Sequence, residues 1–304
     1  MATESSTHPK VSIILPTWNG EDDLERLLPA IAGQDYEGEI EICAIDSSSS
    51  DRSVELLKAA NVNVGVIPQS EFGHGRTRNK CAEKATGEYL VFLSQDVVPQ
   101  SEFVRRLLEP FADDRVAGVY GRVLPFPDDD PLTARTVLSL PEASEKGSVR
   151  DLDALGGVWN LGPYERARYL RFNNVASAIR TSIFREIPFP ETSFGEDFAW
   201  AARALTWGWR IAYVPEALAY HAHSYTLATA YERYRVDASF HRETHAHLIR
   251  PNLISVLRGI VYEVREDLRY VLKTKVPGKL RFLMRSPWLR TAMVLGQYAG
   301  SHGR

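Results

Sequence analysis

Acidic residues and histidines recur along this chain where apolar runs end or helices begin. Asp46 closes the run 40–45, Asp96 follows the run 89–93, Glu196 and Asp197 open a helix-like stretch, and His221 and His223 lie on a strand-like run. A parallel sheet carries whatever ends its strands to one edge, so positions far apart in sequence meet in one crevice. Carboxylates and imidazoles gathered there could hold a divalent cation, bind a nucleotide and remove a proton. That chemistry is group transfer from an activated nucleotide.

Pro16-Thr17-Trp18-Asn19 follows the first apolar run, at the position where ligand loops form, and its polar and aromatic groups could line a base pocket. Asp46, followed by four serines and Asp51, is placed to accept from a base N–H or a ribose hydroxyl, with Asp51 as a helix cap. Gly73-His74-Gly75-Arg76-Thr77-Arg78-Asn79 enters a helix, and free backbone N–H groups with an arginine fork suit phosphate. It is no dinucleotide fingerprint, because Arg78 stands where the third glycine belongs. Of its two arginines, Arg78 is the one expected in the pocket. Ser94-Gln95-Asp96 offers one acid able to ligate a hard cation whose other ligands are diphosphate and water. In Glu196-Asp197 each carboxylate raises the proton affinity of the other, which makes a base. His221 and His223, two apart on an extended run, face the same side roughly 6–7 Å apart. Each motif also has a plain structural reading: a strand-to-helix turn, a serine loop, a solvated arginine, a helix cap, favourable charge in a first helical turn, or structural histidines.

The elements that must position these groups follow from periodicity. Apolar runs at 11–16, 40–45, 64–68, 89–93 and 116–123 predict strands, and the stretches between them predict helices. Asn19 is expected to cap the helix over 21–34, and Gly87 to end the one over 75–85. Strands alternating with helices predict an α/β fold with a mostly parallel sheet flanked by helices. Proline-rich 124–170 breaks the rhythm and reads as an inserted, partly mobile acceptor-side segment. Strands return at 174–180, 210–214 and 217–221. From 227 the chain reads as helices broken near Pro251, Pro277 and Pro287. The expected division is a transferase domain over 1–225 and a basic helical extension over 226–304.

Composition bounds the remainder. With 304 residues, 44% of them hydrophobic, the chain can bury one large α/β domain and an appendage. A net charge of −3 gives no ground for nucleic acid as a partner. Cys43 and Cys81 read as core thiols. The polar first ten residues hold no signal peptide, and no run approaches a membrane span, so a cytoplasmic protein is expected. Charge is uneven, however: 250–304 carries 11 Lys/Arg against 3 Asp/Glu, a balance of +8 that leaves −11 elsewhere. Basic residues alternating with Leu272, Leu280, Phe282, Leu283, Trp288 and Leu289 suggest peripheral contact of 269–296 with the inner face of the membrane, or a homodimer interface.

Taken in order, these residues resemble the family 2 inverting glycosyltransferases of GT-A fold, over roughly 11–225. The stretch from Phe72 to Asn79, Gln95-Asp96 in place of a full Asp-x-Asp, and the run from Tyr213 to Tyr225 are similar to bacterial dTDP-L-rhamnose-dependent rhamnosyltransferases. The resemblance implies transfer of a sugar, L-rhamnose first, from a nucleotide donor to a glycan or lipid-linked acceptor in surface polysaccharide synthesis. A UDP- or GDP-sugar enzyme and a non-catalytic nucleotide-sugar-binding partner in an envelope assembly are the alternatives. It also implies roles: Asp197 as base beside Glu196; Pro16, Thr17, Asn19, Asp46, Gly75, Arg78 and Gln95 around the nucleotide; Asp96 with His221 or His223 on Mg²⁺ or Mn²⁺. Ser94 replaces the first aspartate of the family pattern, which weakens the expectation of strong metal dependence.

Overall fold

The structure is a computed structural model that describes residues 8–303. Residues 1–7 and 304 lie outside the described residues, and with them most of the polar leader from which the lack of a signal peptide was read. The described chain divides into two compact units: 8–123, 142–160 and 170–221 form the first, and 124–141, 161–169 and 222–303 the second. In chain order the elements are β1 (Val11–Thr17), α1 (Glu21–Ala32), β2 (Ile40–Asp46), α2 (Ser53–Ala59), β3 (Asn63–Val66), α3 (His74–Ala82), β4 (Tyr89–Leu93), β5 (Val98–Pro99), α4 (Phe103–Leu108) and β6 (Val116–Leu124). There follow α5 (Pro131–Leu138), β7 (Ser148–Arg150), α6 (Pro163–Tyr169), β8 (Ala176–Arg180), α7 (Thr181–Glu186), α8 (Glu196–Thr206), β9 (Arg210–Tyr220), α9 (Leu227–His245), α10 (Leu253–Lys273) and α11 (Lys279–Ser301). The stretch 124–170 therefore carries α5, β7 and α6 where an irregular insert was expected.

The first unit is built on one sheet with strand order β3-β2-β1-β4-β8-β6-β9-β5, with β7 paired to β9. β1 reads as unbroken apolar residues because both its faces are covered: Val11, Ile13, Ile14 and Leu15 are wholly buried. It pairs in parallel with β2 and β4, and β2 with β3. Beyond β4 the character changes, since β8 runs antiparallel to both β4 and β6, and β9 antiparallel to β5 and β7. The α/β sheet is thus mixed where a mostly parallel one was expected. Periodicity reports that a strand is buried but not which way its neighbour runs.

Two local details also differ from the sequence reading. Gly87 does not cap α3; its N–H donates to Ser12 Oγ at 2.8 Å, and a Cβ there would lie 2.7 Å from the Ser12 backbone nitrogen. Arg210–Tyr220 is one strand where two were expected. Cys43 and Cys81 are buried free thiols, and burial pushes their pKa values up to about 11 and about 12.

The second unit is helical. Leu132 of α5, Ala230 of α9, Val271 of α10 and Phe282, Leu289 and Met293 of α11 share its core. α9 and α11 lie backbone to backbone: a Cβ on Gly296 would fall 2.2 Å from the Tyr231 carbonyl oxygen, and one on Gly300 2.1 Å from that of Arg235. Glycines one turn apart remove the side chains that would hold the helices apart. α11 runs through Pro287, where a break was expected. Pro287 removes one helical hydrogen bond, but Ser286, Leu289, Arg290 and Met293 around it are buried, and that packing outweighs the loss. Arg290 and Asp267 are both wholly buried and meet fork to fork, Nε to Oδ2 and Nη2 to Oδ1, each at 2.8 Å.

Candidate active site

Because β1 is parallel to β2 and β4, and β8 antiparallel to β4, the ends of the first three strands and the start of β8 share one sheet edge. β9 finishes there as well, since Tyr220 pairs with Val98, two residues past Asp96. Ser94 N–H donates to the Val175 carbonyl at 3.2 Å, and the neighbouring Asn174 N–H donates to Asp197. Asp96 and Asp197 are therefore carried to the same edge, linked through adjoining residues of two neighbouring strands.

Asp46 and Thr17 form the floor of this edge. Thr17 Oγ1 donates to Asp46 Oδ2 at 2.8 Å, and Ser49 supplies its N–H at 2.7 Å and its hydroxyl at 2.6 Å. Asp46 is wholly buried. A carboxylate out of water must collect donors, and this one takes them from its own loop. These contacts hold the serine loop against the end of β1. Asn19 has φ of 44°; its N–H donates to Ser49 Oγ and its Oδ1 accepts from Ser50 N–H, both at 2.8 Å. It therefore does not cap α1. Asp51 serves both helix starts, accepting from Glu21 N–H and Ser53 N–H at 3.0 Å each. Pro16 lies within β1 rather than ending it. Gln95 clamps the end of β1 reciprocally: Oε1 accepts from Trp18 N–H at 2.8 Å, and Nε2 donates to the Trp18 carbonyl at 3.1 Å. Trp18 and Asn19 remain as exposed groups at this end of the edge.

His221 Nδ1 stands 3.3 Å from Asp96 Oδ1. Donor atoms of Asp96, His221 and His223 all lie within 4.8 Å of one another. One carboxylate oxygen and two imidazole nitrogens, grouped this closely, fit a divalent cation with positions left for substrate oxygens.

The acidic pair is held by α8, which begins after Gly195 at φ of 76°, a left-handed conformation that favours glycine. Trp200, wholly buried, anchors the helix through Nε1 to the Ile187 carbonyl at 2.8 Å. Glu196 is buried and paired with buried Arg78, Nη1 to Oε1 at 3.2 Å. Asn174, absent from the sequence reading, adds Nδ2 to the same oxygen at 3.4 Å. Asp197 accepts from Phe198 N–H at 2.9 Å. Burial first, and the Glu196 charge second, push the Asp197 carboxyl up from 3.8 to about 7. Arg78 tempers that rise. Its partner in the fold is Glu196, which places it beneath the acidic pair. Gly75 is spoken for in the same way: a Cβ there would meet the Pro190 carbonyl at 2.6 Å, so its bareness serves packing of α3.

The sheet thus delivers Asp96, His221, Asn174 and the strand ends to one edge, with Glu196 and Asp197 at a helix start beside them. The chain belongs to glycosyl transferase family 2, whose profile matches residues 12–185; it is a glycosyltransferase. It is 31% identical to O-antigen chain rhamnosyltransferase RfbN of Salmonella typhimurium over 76% of this chain and 72% of that one. It is 32% identical to O-antigen chain rhamnosyltransferase WbaN of Salmonella anatum, covering 77% and 72%. In fold it resembles mannosyltransferase PcManGT from Pyrobaculum calidifontis, solved with GDP-Man and Mn²⁺, at TM-score 0.56 and 18% identity over 98% of this chain and 75% of that one.

Proposed function

We propose that the chain moves L-rhamnose from dTDP-L-rhamnose to a hydroxyl of a glycan or lipid-linked acceptor in bacterial surface polysaccharide synthesis, by one displacement with inversion. Two O-antigen rhamnosyltransferases at about the same identity support the donor. The acceptor oxygen bonds to the anomeric carbon as the bond from that carbon to the diphosphate oxygen breaks. The electron pair leaves with the nucleoside diphosphate, and the acceptor proton passes to Asp197. Thr17, Trp18, Asn19 and Gln95 are assigned to the base and ribose, with Asp46 holding the loop behind them. A divalent cation on Asp96, His221 and His223 would neutralise charge on the leaving diphosphate. Two imidazole donors favour Mn²⁺ over Mg²⁺, which prefers oxygen.

The observation that carries this reading is the setting of Asp197. A carboxyl titrating near 7 is both ionised enough to accept a proton at neutral pH and basic enough to want one. Asp197→Asn is expected to lose about 10²–10⁴-fold in turnover while keeping donor affinity. Its folding provides a control with a fixed sign. The folded pKa lies above the unfolded one, so the folded state binds more protons and stability falls as pH rises from about 4 through about 7. The variant escapes that loss and should melt above the parent at pH 8, the gap closing toward pH 4. Transfer at the parent rate would refute the assignment. A donor screen that preferred a UDP- or GDP-sugar would keep the mechanism and change the substrate.

A further inference from the structure

α10 carries two apolar faces, and only one is used by the fold. Val256, Gly259 and Val271 point into the second unit. On another side Ile254, Leu257, Val261, Leu268 and Leu272 are 45–66% exposed. Their spacing of 3, 4, 7 and 4 keeps them on one stripe of a 3.6-residue helix. Arg258, Arg269 and Lys273 each follow a stripe residue by one position, about 100° around the helix and all on one flank, and exposed Arg265, one turn after Val261, lies on the stripe itself. Of the acids of α10, Glu263 and Asp267 pair with Arg135, while Glu266 pairs with Arg269, so the excess positive charge of this flank comes from Arg258, Arg265 and Lys273. The stripe continues into α11, because Lys279 Nζ donates to the Leu272 carbonyl at 2.8 Å and brings the two helix ends together. There Leu280, Met284 and Trp288 repeat at one-turn spacing, each at least 66% exposed. At the other end a cleft of about 510 Å³ is lined by Arg250, Asn252, Ile254, Ser255 and Arg258.

We infer that this stripe is a docking face for an anionic lipid surface, with α10 lying in the interface plane. The charge pattern selects this occupant. A second copy meeting the same face with its helix antiparallel would set this basic flank against itself, whereas anionic headgroups neutralise it and the arginine-lined cleft accepts a headgroup phosphate. The sequence reading put membrane contact at 269–296. Phe282 and Leu289 in that span are buried in the core of the second unit, while Leu272, Leu280, Met284 and Trp288 are exposed there and the stripe extends upstream through Ile254, Leu257, Val261 and Leu268. The inference is independent of the donor sugar and of Asp197.

The test is flotation of the full chain with phosphatidylcholine vesicles, with and without phosphatidylglycerol, at low and high salt. Recovery should require phosphatidylglycerol and fall with salt. Leu257→Glu with Val261→Glu should abolish it while transfer to a soluble acceptor continues, both positions being exposed. Arg258→Gln with Arg265→Gln should weaken binding about 25-fold, at about fivefold per basic residue. Equal recovery on neutral vesicles, or no recovery on either, overturns the inference. So does a dimer in sedimentation that the Leu257→Glu, Val261→Glu variant dissolves without any parent binding to lipid.

Discussion

Asp197 and Glu196 share a local sequence signal but have separate tasks. Glu196 is spent on Arg78 and Asn174, and its charge helps keep the proton on Asp197. Glu196→Gln keeps the shape and removes that charge. The acid limb of the pH–rate profile should move to lower pH, by direct measurement of turnover between pH 5 and 9, with donor affinity unchanged. A limb that stayed put would mean burial alone sets the Asp197 proton affinity. At this scale the sequence was informative about residue type and poor about partner. The acidic pair, Asp96 and the two histidines stand out in the sequence because few structural uses explain that series in that order. The partners of Asp46 and Arg78 were not legible, because a strand-end acid and a helix-start arginine carry no mark of burial. Asn174 was invisible: one asparagine before a strand has no signature, and only the antiparallel placement of β8 brings it to Glu196.

The elements show which signals survive folding. Apolar runs located the strands because burial on both faces needs them, but strand direction depends on connections that periodicity does not encode. The glycines of α11 were overlooked because glycine in a helix ordinarily signals weakness. Here they set the distance to α9. Gly296→Ala and Gly300→Ala should each destabilise the second unit by about 1–3 kcal/mol, the usual range for overpacking a tight contact. Urea denaturation followed by far-ultraviolet circular dichroism measures this. A neutral result at both positions would mean the helices can separate at little cost.

For the whole molecule, the charge imbalance between an acidic body and a basic C-terminal stretch matches a division of labour. Chemistry is assigned to the edge of the first unit and surface contact to a face of the second. No helix among the described residues is long and apolar enough to cross a membrane. Ligand linkage reads out the first unit as a body. Donor with Mn²⁺ at 100 times its dissociation constant should stabilise the folded state by about 2.7 kcal/mol. Asp96→Ala should remove the Mn²⁺-dependent part of the resulting thermal shift and leave the metal-free shift in place. An Mn²⁺-dependent shift that survived this change would move the cation elsewhere.

The bare glycine pair on the last helix has a practical corollary. Any truncation that reached into the final turns of α11 would be abruptly ruinous, because the seam that fastens it to α9 sits at Gly296 and Gly300. An engineer wanting a better-behaved enzyme would do best to leave that seam whole and recolour the greasy stripe instead.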